Sequence, residues 1–231
     1  AHQKYGVTPE IIVGIIGVET RYGRHTGNYR VIDALATLGF DYPPRSKFFR
    51  SELKHYLLMT REEKVDPLSL KGSYAGAMGQ PQFISSSFRS YAVDFDGDGK
   101  RDIWHNPADA IGSVANYFVR HGWKRGEKIT QQLKLSVNTD KKLLNEKELK
   151  PTHTVASLRQ KGFINIDKSL NDDALAAIIN LEGKTASEHW LGLKNFYVIT
   201  RYNHSALYAM AVYQLAEKIR QRRESKSDQD A

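Results

Sequence analysis

The chain has 231 residues, no cysteine, 40% hydrophobic residues and a formal net charge of +8 at pH 7. It can bury a substantial core, and the lack of cysteine excludes disulfides and thiolate metal sites. A basic surface favours polyanions, but the basic residues are dispersed and accompany no nucleic-acid-binding motif, so we expect no nucleic-acid partner. No apolar run reaches membrane-spanning length and no signal peptide is visible, and we interpret the chain as a fragment or a mature form.

The first predicted helix begins at Pro9, with Thr8 as its N-cap, and carries a carboxylate near its end. Isoleucines at helical spacing make it apolar nearly all round, which predicts burial. Near the C-terminal end, desolvation and the helix dipole would both raise the pKa of Glu19. An acid that stays protonated near neutral pH can serve as a general acid. The alternative is that Glu19 only forms an ion pair with Arg21 or Arg24.

Two further helices are predicted, at 32–39 and 48–60, before a glycine-rich stretch at 71–87. Its glycines permit a loop whose backbone approaches a ligand closely. Gln80 and Gln82 could bond the hydroxyl and amide groups of a sugar. The alternative is a loop that joins two helices and binds no ligand.

An acidic loop at 94–109 gives the most specific metal signal in the sequence. Asp94, Asp96 and Asp98 occupy positions 1, 3 and 5 of an EF-hand-like loop, and Gly99 at position 6 permits its sharp turn. Hard oxygen ligands of this kind suit Ca²⁺. The alternative is a turn rich in aspartate and glycine that holds no ion.

The remaining ligands of this loop depart from the standard EF-hand. Lys100 at position 7 could offer its backbone carbonyl, and Asp102 at position 9 could act directly or through water. Position 12 is His105 rather than glutamate, so a closing acid must come from elsewhere, and Asp109 is the candidate. We expect a structural Ca²⁺ that fixes the loop beside the core.

The middle of the chain changes character after a further helix at 109–123. Tyr117 on that helix could face the site or the core. Residues 124–184 are lysine-rich with few long apolar runs, which predicts a small subdomain of short strands and turns. Its segment 174–181 fits either a strand or a buried helix.

The sequence returns to a core-like pattern after residue 185. The stretch 195–203 combines aromatic residues with asparagine and arginine, which is typical of a sugar platform, since rings stack on pyranose faces. An aromatic-rich core segment is the alternative. A helix is predicted at 208–215, and the charged stretch 220–231 is expected to fray.

Three separated stretches together resemble one known family. GVETRYG (17–23), SYAGAMGQPQF (73–83) and NFYVITRYN (195–203), combined with the acidic loop, resemble the membrane-bound lytic murein transglycosylase B family through nearly the whole chain. The resemblance implies an α+β, mainly α fold: a lysozyme-like helical core with an EF-hand-like Ca²⁺ loop and a small β-containing insertion.

The domain organisation that follows has three parts. We expect a catalytic core at 1–127, an inserted subdomain at 128–184, and a return to the core with a C-terminal helix and frayed tail at 185–231.

The resemblance also implies an activity and a set of site residues. The activity is cleavage of the β-1,4 bond between N-acetylmuramic acid and N-acetylglucosamine, with a 1,6-anhydromuramoyl product, and Glu19 is the single catalytic acid/base. The implied substrate-binding residues, with Arg45 touching the muramoyl peptide, are Arg45, Ser73, Gln82, Phe83, Tyr117, Tyr202, Asn203 and Tyr208. The implied metal ligands are Asp94, Asp96, Asp98, the Lys100 carbonyl and Asp109.

Partners and location follow from the same resemblance. Peptidoglycan glycan strands are the expected partner, Ca²⁺ is the expected structural ion, and no organic cofactor is expected. We expect a monomer in the periplasm or cell envelope, anchored to the outer membrane in the full-length protein through a segment outside this sequence.

One carboxylate would suffice for this chemistry only if the substrate supplies its own nucleophile, because most glycosidases use two carboxylates. Two alternatives stay open. A hydrolytic muramidase would use water in place of the C6 hydroxyl and needs Asp33 or Asp41 to face Glu19 across a cleft. A non-catalytic peptidoglycan-binding module would bind cell walls without cleaving them.

Overall fold

A computed structural model describes residues 1–227, and these divide into two compact units. The first comprises residues 1–120 together with the chain from Ile219, and the second comprises residues 121–218. The last four residues of the predicted frayed tail, 228–231, lie outside the described residues. In the part of the chain that the structure describes, no helix is both long enough and apolar enough to cross a membrane.

The first unit is helical apart from one short pair of strands. Its helices are α1 (His2–Tyr5), α2 (Pro9–Thr20), α3 (Val31–Phe40), α4 (Ser46–Glu63), α5 (Ser85–Tyr91) and α6 (Pro107–Arg120). Strands β1 (Tyr29–Arg30) and β2 (Lys71–Gly72) pair antiparallel. Helix α3 packs against α4, while α2 and α5 pack against α6.

Helix α2 confirms the first predicted helix and supplies much of this unit's core. Thr8 occupies the N-cap position and Pro9 the first turn, as the sequence indicated. Ile11, Ile12 and Ile15 are each at most 2% exposed, which accounts for their apolar pattern. Helices α3 and α4 each extend slightly beyond their predicted bounds, and α5 was not predicted.

The second unit is built on a four-stranded antiparallel sheet in the order β3-β8-β7-β5. Its strands are β3 (Thr130–Gln132), β5 (His153–Thr154), β7 (Leu175–Glu182) and β8 (Ser187–Gly192), and a separate pair joins β4 (Lys134–Leu135) to β6 (Phe163–Ile164). The ambiguous segment 174–181 is therefore a strand. Its central residues, Ala176 to Ile179, are at most 2% exposed, so burial of both faces removed the alternating pattern that would have identified it.

Three further α-helices lie within residues 1–227: α7 (Val155–Gln160), α8 (Lys194–Tyr202) and α9 (Ala206–Ser227). Because β8 pairs with both β3 and β7, residues on either side of position 184 belong to one unit, whereas we predicted a boundary there. The boundaries between the two units lie after residues 120 and 218, whereas we expected boundaries after residues 127 and 184. Helix α9 continues to Ser227, beyond the point where we expected fraying to begin.

Candidate active site

Glu19 lies one residue before the end of α2, on a partly exposed position next to the buried Thr20. The chain then leaves the helix through two consecutive left-handed residues, Arg21 (φ 48°) and Tyr22 (φ 62°). Each left-handed residue other than glycine costs about 1–2 kcal/mol, so such a pair persists only where other contacts hold it. The peptide N–H of Arg21 donates to the Gly17 carbonyl at 3.0 Å, which closes the helix. A strained, well-defined turn therefore fixes the backbone beside the candidate acid.

The glycine-rich stretch predicted as a loop forms a compact turn in the first unit. Gly72 bridges to Met78, and Met78 bridges to Phe83, so the backbone doubles back on itself. A side chain at Gly27 would place its Cβ 2.0 Å from the carbonyl oxygen of Gly72, and Gly27 has φ 97°. Glycine is needed at position 27 because the two backbones are in direct contact.

Ser73 and Gln82 lie within this turn and make hydrogen bonds to backbone groups. The Ser73 hydroxyl accepts the N–H groups of Ala75 at 3.3 Å and Ala77 at 3.1 Å. The Gln82 amide nitrogen donates to the carbonyls of Thr26 at 3.1 Å and Gly79 at 2.9 Å, with Gln82 itself at φ 52°. These bonds orient two of the predicted substrate-binding side chains.

Phe83 and Tyr117 are brought together in the core of the first unit. Their ring centroids are 5.8 Å apart, and they are only 2% and 7% exposed. Tyr117 also makes an edge-to-face contact with Tyr91 at 4.9 Å. Tyr117 thus lies in the core, the orientation that the sequence left open.

Arg45 occupies an exposed position at the end of a short 3₁₀ helix, Pro43–Arg45. Its guanidinium lies over the rings of Phe48 and Phe49, at 4.6 and 5.1 Å from their centroids. These aromatic contacts hold an accessible cation in one orientation.

Tyr202, Asn203 and Tyr208 belong to the second unit, where they border the turn between α8 and α9. Asn203 follows the last residue of α8, is exposed, and its carbonyl accepts the N–H of Ser205 at 2.7 Å. The N–H of Tyr208 donates to the Ser205 hydroxyl at 3.3 Å. The stretch 195–203 is thus a helix whose far end presents the asparagine.

The acidic loop gathers four carboxylates into one cluster. Asp94, Asp96, Asp98 and Asp109 each offer an oxygen, and all four oxygens lie within 4.8 Å of one another. Asp109, fifteen positions after Asp94 and the candidate closing acid of the sequence analysis, lies with the other three in the structure. Four like charges this close repel one another, and a bound divalent cation relieves the repulsion.

Backbone N–H groups shape the loop around these carboxylates. Asp94 accepts the N–H groups of Gly97 and Gly99, at 2.7 and 2.8 Å, and both glycines have positive φ. Asp98 accepts the N–H of Lys100 at 2.9 Å, which fixes the peptide that carries the Lys100 carbonyl. Hydrogen bonds from backbone N–H groups to the acidic side chains thus determine the conformation of the loop.

Asp109 differs from the other three because it is fully buried. Its two oxygens accept the N–H groups of Phe95 at 2.7 Å and Asp102 at 2.8 Å. Burial raises the pKa of Asp109, the two backbone hydrogen bonds lower it, and the neighbouring charges of Asp96 and Asp94 raise it further, so that the net shift is upward. A buried carboxylate facing two like charges is a natural ligand for a cation.

Asp102 and His105 lie outside the carboxylate cluster. One Asp102 oxygen accepts the N–H groups of Trp104 and His105, each at 2.9 Å, and the His105 side chain is 87% exposed.

Asn106 also contributes to the loop, although the sequence analysis does not single it out. Its amide donates to Asp96 at 2.8 Å, and its side-chain oxygen accepts the N–H of Ala108 at 2.9 Å. The Asn-Pro pair before a helix was the signal that could have identified it.

The contacts of two residues near Glu19 were not predicted: Thr20 was not singled out, and Gln80 was considered only as a sugar-binding residue. The buried hydroxyl of Thr20 lies within hydrogen-bond distance of two acceptors, the Gln80 carbonyl at 3.0 Å and the Ile16 carbonyl at 3.1 Å. The N–H of Gln80 donates in turn to the Ile103 carbonyl at 2.9 Å. The contacts made by Gln80 join segments that are distant in sequence, so no local pattern predicts them.

Comparisons with known proteins agree with this geometry. The model of the transglycosylase SLT domain matches residues 1–217. The membrane-bound lytic murein transglycosylase B of Escherichia coli (strain K12) is 50% identical over 219 residues, which cover 95% of this chain and 59% of that protein. The chain therefore spans less than two thirds of the length of this curated relative.

Two solved structures show the same fold. The soluble lytic transglycosylase SltB1 from Pseudomonas aeruginosa is 55% identical, with a TM-score of 0.91 over 96% of this chain and 73% of that one. The Escherichia coli lytic transglycosylase Slt35, in complex with calcium, is 48% identical, with a TM-score of 0.87 over 96% of this chain and 69% of that one. The predicted α+β, mainly α fold of the lysozyme-like transglycosylases is confirmed. The chain belongs to the transglycosylase SLT domain family, as the resemblance in its sequence indicated.

Proposed function

We propose that this chain carries the catalytic part of a peptidoglycan lytic transglycosylase. The reaction is cleavage of the β-1,4 bond between N-acetylmuramic acid and N-acetylglucosamine, with closure of a 1,6-anhydromuramoyl ring. The observation that carries the proposal is Glu19 at the fixed end of the apolar helix α2, in a chain that is 50% identical to a lytic murein transglycosylase over 95% of its length.

Glu19 acts first as an acid and then as a base. Its proton passes to the glycosidic oxygen, the bond from that oxygen to the muramoyl C1 breaks, and the N-acetylglucosamine half leaves with a hydroxyl. The substrate's own N-acetyl group stabilises the cationic centre at C1. The Glu19 carboxylate then takes the proton from the muramoyl C6 hydroxyl, whose oxygen bonds to C1. Glu19 ends protonated again, and no water is consumed.

Asp33 and Asp41 are the two acids that a hydrolytic reaction could use as a second carboxylate. Asp33 accepts a bond from Arg30 at 2.6 Å, with both side chains about half exposed. Asp41, just past the end of α3, is exposed. A hydrolytic muramidase needs one of these carboxylates to hold a water or attack C1, so the chemical nature of the product distinguishes the two reactions.

Substrate contacts are proposed for two sets of residues. In the first unit the set is Arg45, Ser73, Gln82, Phe83 and Tyr117, and in the second it is Tyr202, Asn203 and Tyr208. The exposed Arg45 carries a permanent positive charge suited to a carboxylate on the muramoyl peptide. The exposed Asn203 amide suits hydroxyl and N-acetyl groups. The deeply buried Phe83 and Tyr117 contribute through the shape of the first unit's core.

We further propose Ca²⁺ as a structural ion of the acidic loop. The proposed ligands are Asp94, Asp96, Asp98, the Lys100 carbonyl and Asp109. The donor set fits, since it offers hard oxygens close together with a buried carboxylate at its base. The ion supplies positive charge that offsets four carboxylates and holds the loop closed. The related Slt35 has been solved in complex with calcium.

Location and partners rest on the same proposal. The substrate is the glycan strand of peptidoglycan, which places the protein in the periplasm or cell envelope. The curated relative is named membrane-bound, and attachment of this protein to the outer membrane would use a segment outside the sequence described. We propose a monomer that uses no nucleic acid and no organic cofactor.

A cell-wall assay separates this function from a binding module. Purified peptidoglycan is mixed with the protein, its turbidity is followed, and the pellet is assayed for bound protein. Loss of turbidity supports an enzyme. Protein that pellets with undiminished walls would contradict the proposal and support a non-catalytic module.

A further inference from the structure

We propose that Thr20 and Gln80 position Glu19 and couple it to the acidic loop, an inference that rests on the proposed function of Glu19. Thr20 is adjacent to Glu19 and only 1% exposed. Its hydroxyl accepts the N–H of Gly23 at 3.0 Å and faces two acceptors, the Ile16 carbonyl at 3.1 Å and the Gln80 carbonyl at 3.0 Å. One side chain thus joins the last helical turn, the strained turn after it and a segment sixty residues away.

Gln80 passes this connection on to the end of the acidic loop. Its peptide N–H donates to the Ile103 carbonyl at 2.9 Å, and its side-chain amide donates to the Trp104 carbonyl at 3.3 Å. A Cβ on Gly23 would lie 3.3 Å from the Gln80 side chain, so that side chain also packs against the turn after Glu19. Gln80 is held on both sides.

The segment that holds Gln80 is fixed by acidic residues. The N–H of Asp102 donates to the buried Asp109 carboxylate at 2.8 Å, and the Asp102 side chain accepts the N–H groups of Trp104 and His105. Asp109 is one of the four clustered carboxylates. A short series of contacts therefore runs from the proposed Ca²⁺ ligand Asp109, through residues 102–104 and Gln80, to Thr20 beside Glu19.

This arrangement gives the Thr20 hydroxyl a role that its burial alone does not require. The turn after Glu19 has two left-handed residues that are not glycine, so its geometry depends on outside contacts. Cation binding that orders the acidic loop also orders the carbonyls that hold Gln80. By linkage, disrupting the Thr20 contact must weaken cation binding as much as cation binding strengthens that contact.

The test compares Thr20→Val, which removes the hydroxyl at nearly constant volume, with Thr20→Ser, which retains it. Thr60→Val is the matched control, because Thr60 is 3% exposed and its hydroxyl donates only locally, to the Leu57 carbonyl at 3.2 Å within α4. We expect Thr20→Val to lower kcat on peptidoglycan about tenfold with little change in KM, since misplacement of a catalytic group acts on the chemical step. Thr20→Ser should recover most of the activity.

Two further measurements do not depend on the catalytic activity of the protein. Calorimetric titration with Ca²⁺ should show affinity reduced about fivefold in Thr20→Val and unchanged in Thr60→Val. In the wild type, the backbone amide resonance of Glu19 should shift on adding Ca²⁺, and the shift should shrink in Thr20→Val. If Thr20→Val does not fold, Gln80→Leu replaces it, because this change removes the side-chain bond to the Trp104 carbonyl and keeps the backbone contacts of Gln80. It should lower the Ca²⁺ affinity and shrink the Glu19 resonance shift in the same direction, and wild-type values of both would overturn the coupling.

The outcomes are distinct. A folded Thr20→Val with wild-type kcat, with wild-type Ca²⁺ affinity, or with the full Glu19 resonance shift would overturn the coupling. A wild-type protein that releases no cleavage products would refute the proposed function instead, and the calorimetric and resonance data would still decide the coupling.

Discussion

The buried carboxylate of Asp109 accepts the backbone N–H of Phe95 at 2.7 Å, which fixes the start of α6 against the acidic loop. Phe95 lies between two other carboxylates of the same cluster, the partly buried Asp94 and the exposed Asp96, which are its neighbours in sequence. Asp109 thus attaches the loop to α6, while its carboxylate and those of Asp94, Asp96 and Asp98 remain close enough to share a cation.

Ca²⁺ should stabilise the protein through this cluster. At a free concentration one hundred times its dissociation constant, a ligand that binds only the folded state contributes about 2.7 kcal/mol. Asp96→Asn should weaken Ca²⁺ binding by about tenfold because ligand charge sets affinity. Without Ca²⁺, the same variant should be at least as stable as the wild type, since one repelling charge is gone. Thermal unfolding with Ca²⁺ and with a chelator measures both.

Asp102→Asn is the control for this experiment, because Asp102 lies outside the cluster and asparagine retains an oxygen for the N–H groups of Trp104 and His105. It should respond to Ca²⁺ as the wild type does. Equal responses in all three proteins, or none in any, would contradict the proposed site.

Tyr56 provides a prediction about pH. Its ring is fully buried and its hydroxyl donates to the Pro67 carbonyl at 2.7 Å. Burial, followed by the charges of Asp66 and Asp33, raises its pKa from 10.0 to about 12. The pKa of Tyr56 is higher in the folded protein than in the unfolded chain. Its contribution to the free energy of unfolding is therefore complete below pH 10 and is lost as the pH rises towards 12.

Tyr56→Phe should lower the free energy of unfolding by about 1 kcal/mol at neutral pH, as expected for one lost hydrogen bond, measured by urea denaturation. It should also remove the ionisation of Tyr56 near pH 12 from an ultraviolet titration. Tyr74→Phe, at a position 72% exposed, should change neither quantity. Ionisation of all tyrosines near their ordinary pKa in the wild type would show that Tyr56 is accessible.

Gly27→Ala should destabilise the first unit strongly. The added Cβ would meet the Gly72 carbonyl oxygen at 2.0 Å, at a backbone φ of 97° that alanine adopts poorly. We expect a loss of about 3 kcal/mol, from steric overlap and left-handed strain together. Gly126→Ala also has positive φ but open space around it, so only the strain, about 1 kcal/mol, should appear in chemical denaturation. Equal losses at the two positions would show that the backbone contact at Gly27 is unimportant.

Glu19→Gln should leave the fold intact and abolish cleavage, because an amide cannot donate the required proton. Glu10→Gln is the matched control on the same helix: Glu10 is 8% exposed and pairs with Arg223 at 2.7 Å. That change should cost some thermal stability and no activity. Peptidoglycan turbidity assays measure the activity of both variants, and circular dichroism checks that each variant is folded. Activity retained in Glu19→Gln would refute the assignment.

Local patterns in the sequence predicted the parts of the structure that local physics determines. Pro9 after Thr8 marked the start of α2, and the spacing of Asp94, Asp96 and Asp98 marked the loop, because both signals lie within a few residues. Asp109 could be predicted as the fourth member because the standard loop lacked its closing acid.

Contacts between distant segments could not be predicted in this way. The bond from Thr20 to Gln80 joins residues sixty positions apart, and a threonine at a helix end carries no sign of its partner. The sequence also did not show that residues on both sides of position 184 belong to one unit, because this depends on the pairing of β8 with β3 rather than on composition. The roles of the predicted substrate-binding residues remain predictions of the resemblance.

The most direct test is the mass of the soluble products when the protein digests purified peptidoglycan. We expect muropeptides that are lighter by one water than hydrolytic products, because the C6 hydroxyl closes the ring, and we expect none from Glu19→Gln. Muropeptides with reducing ends would contradict this expectation, since they would show that water is the acceptor and that a second carboxylate takes part.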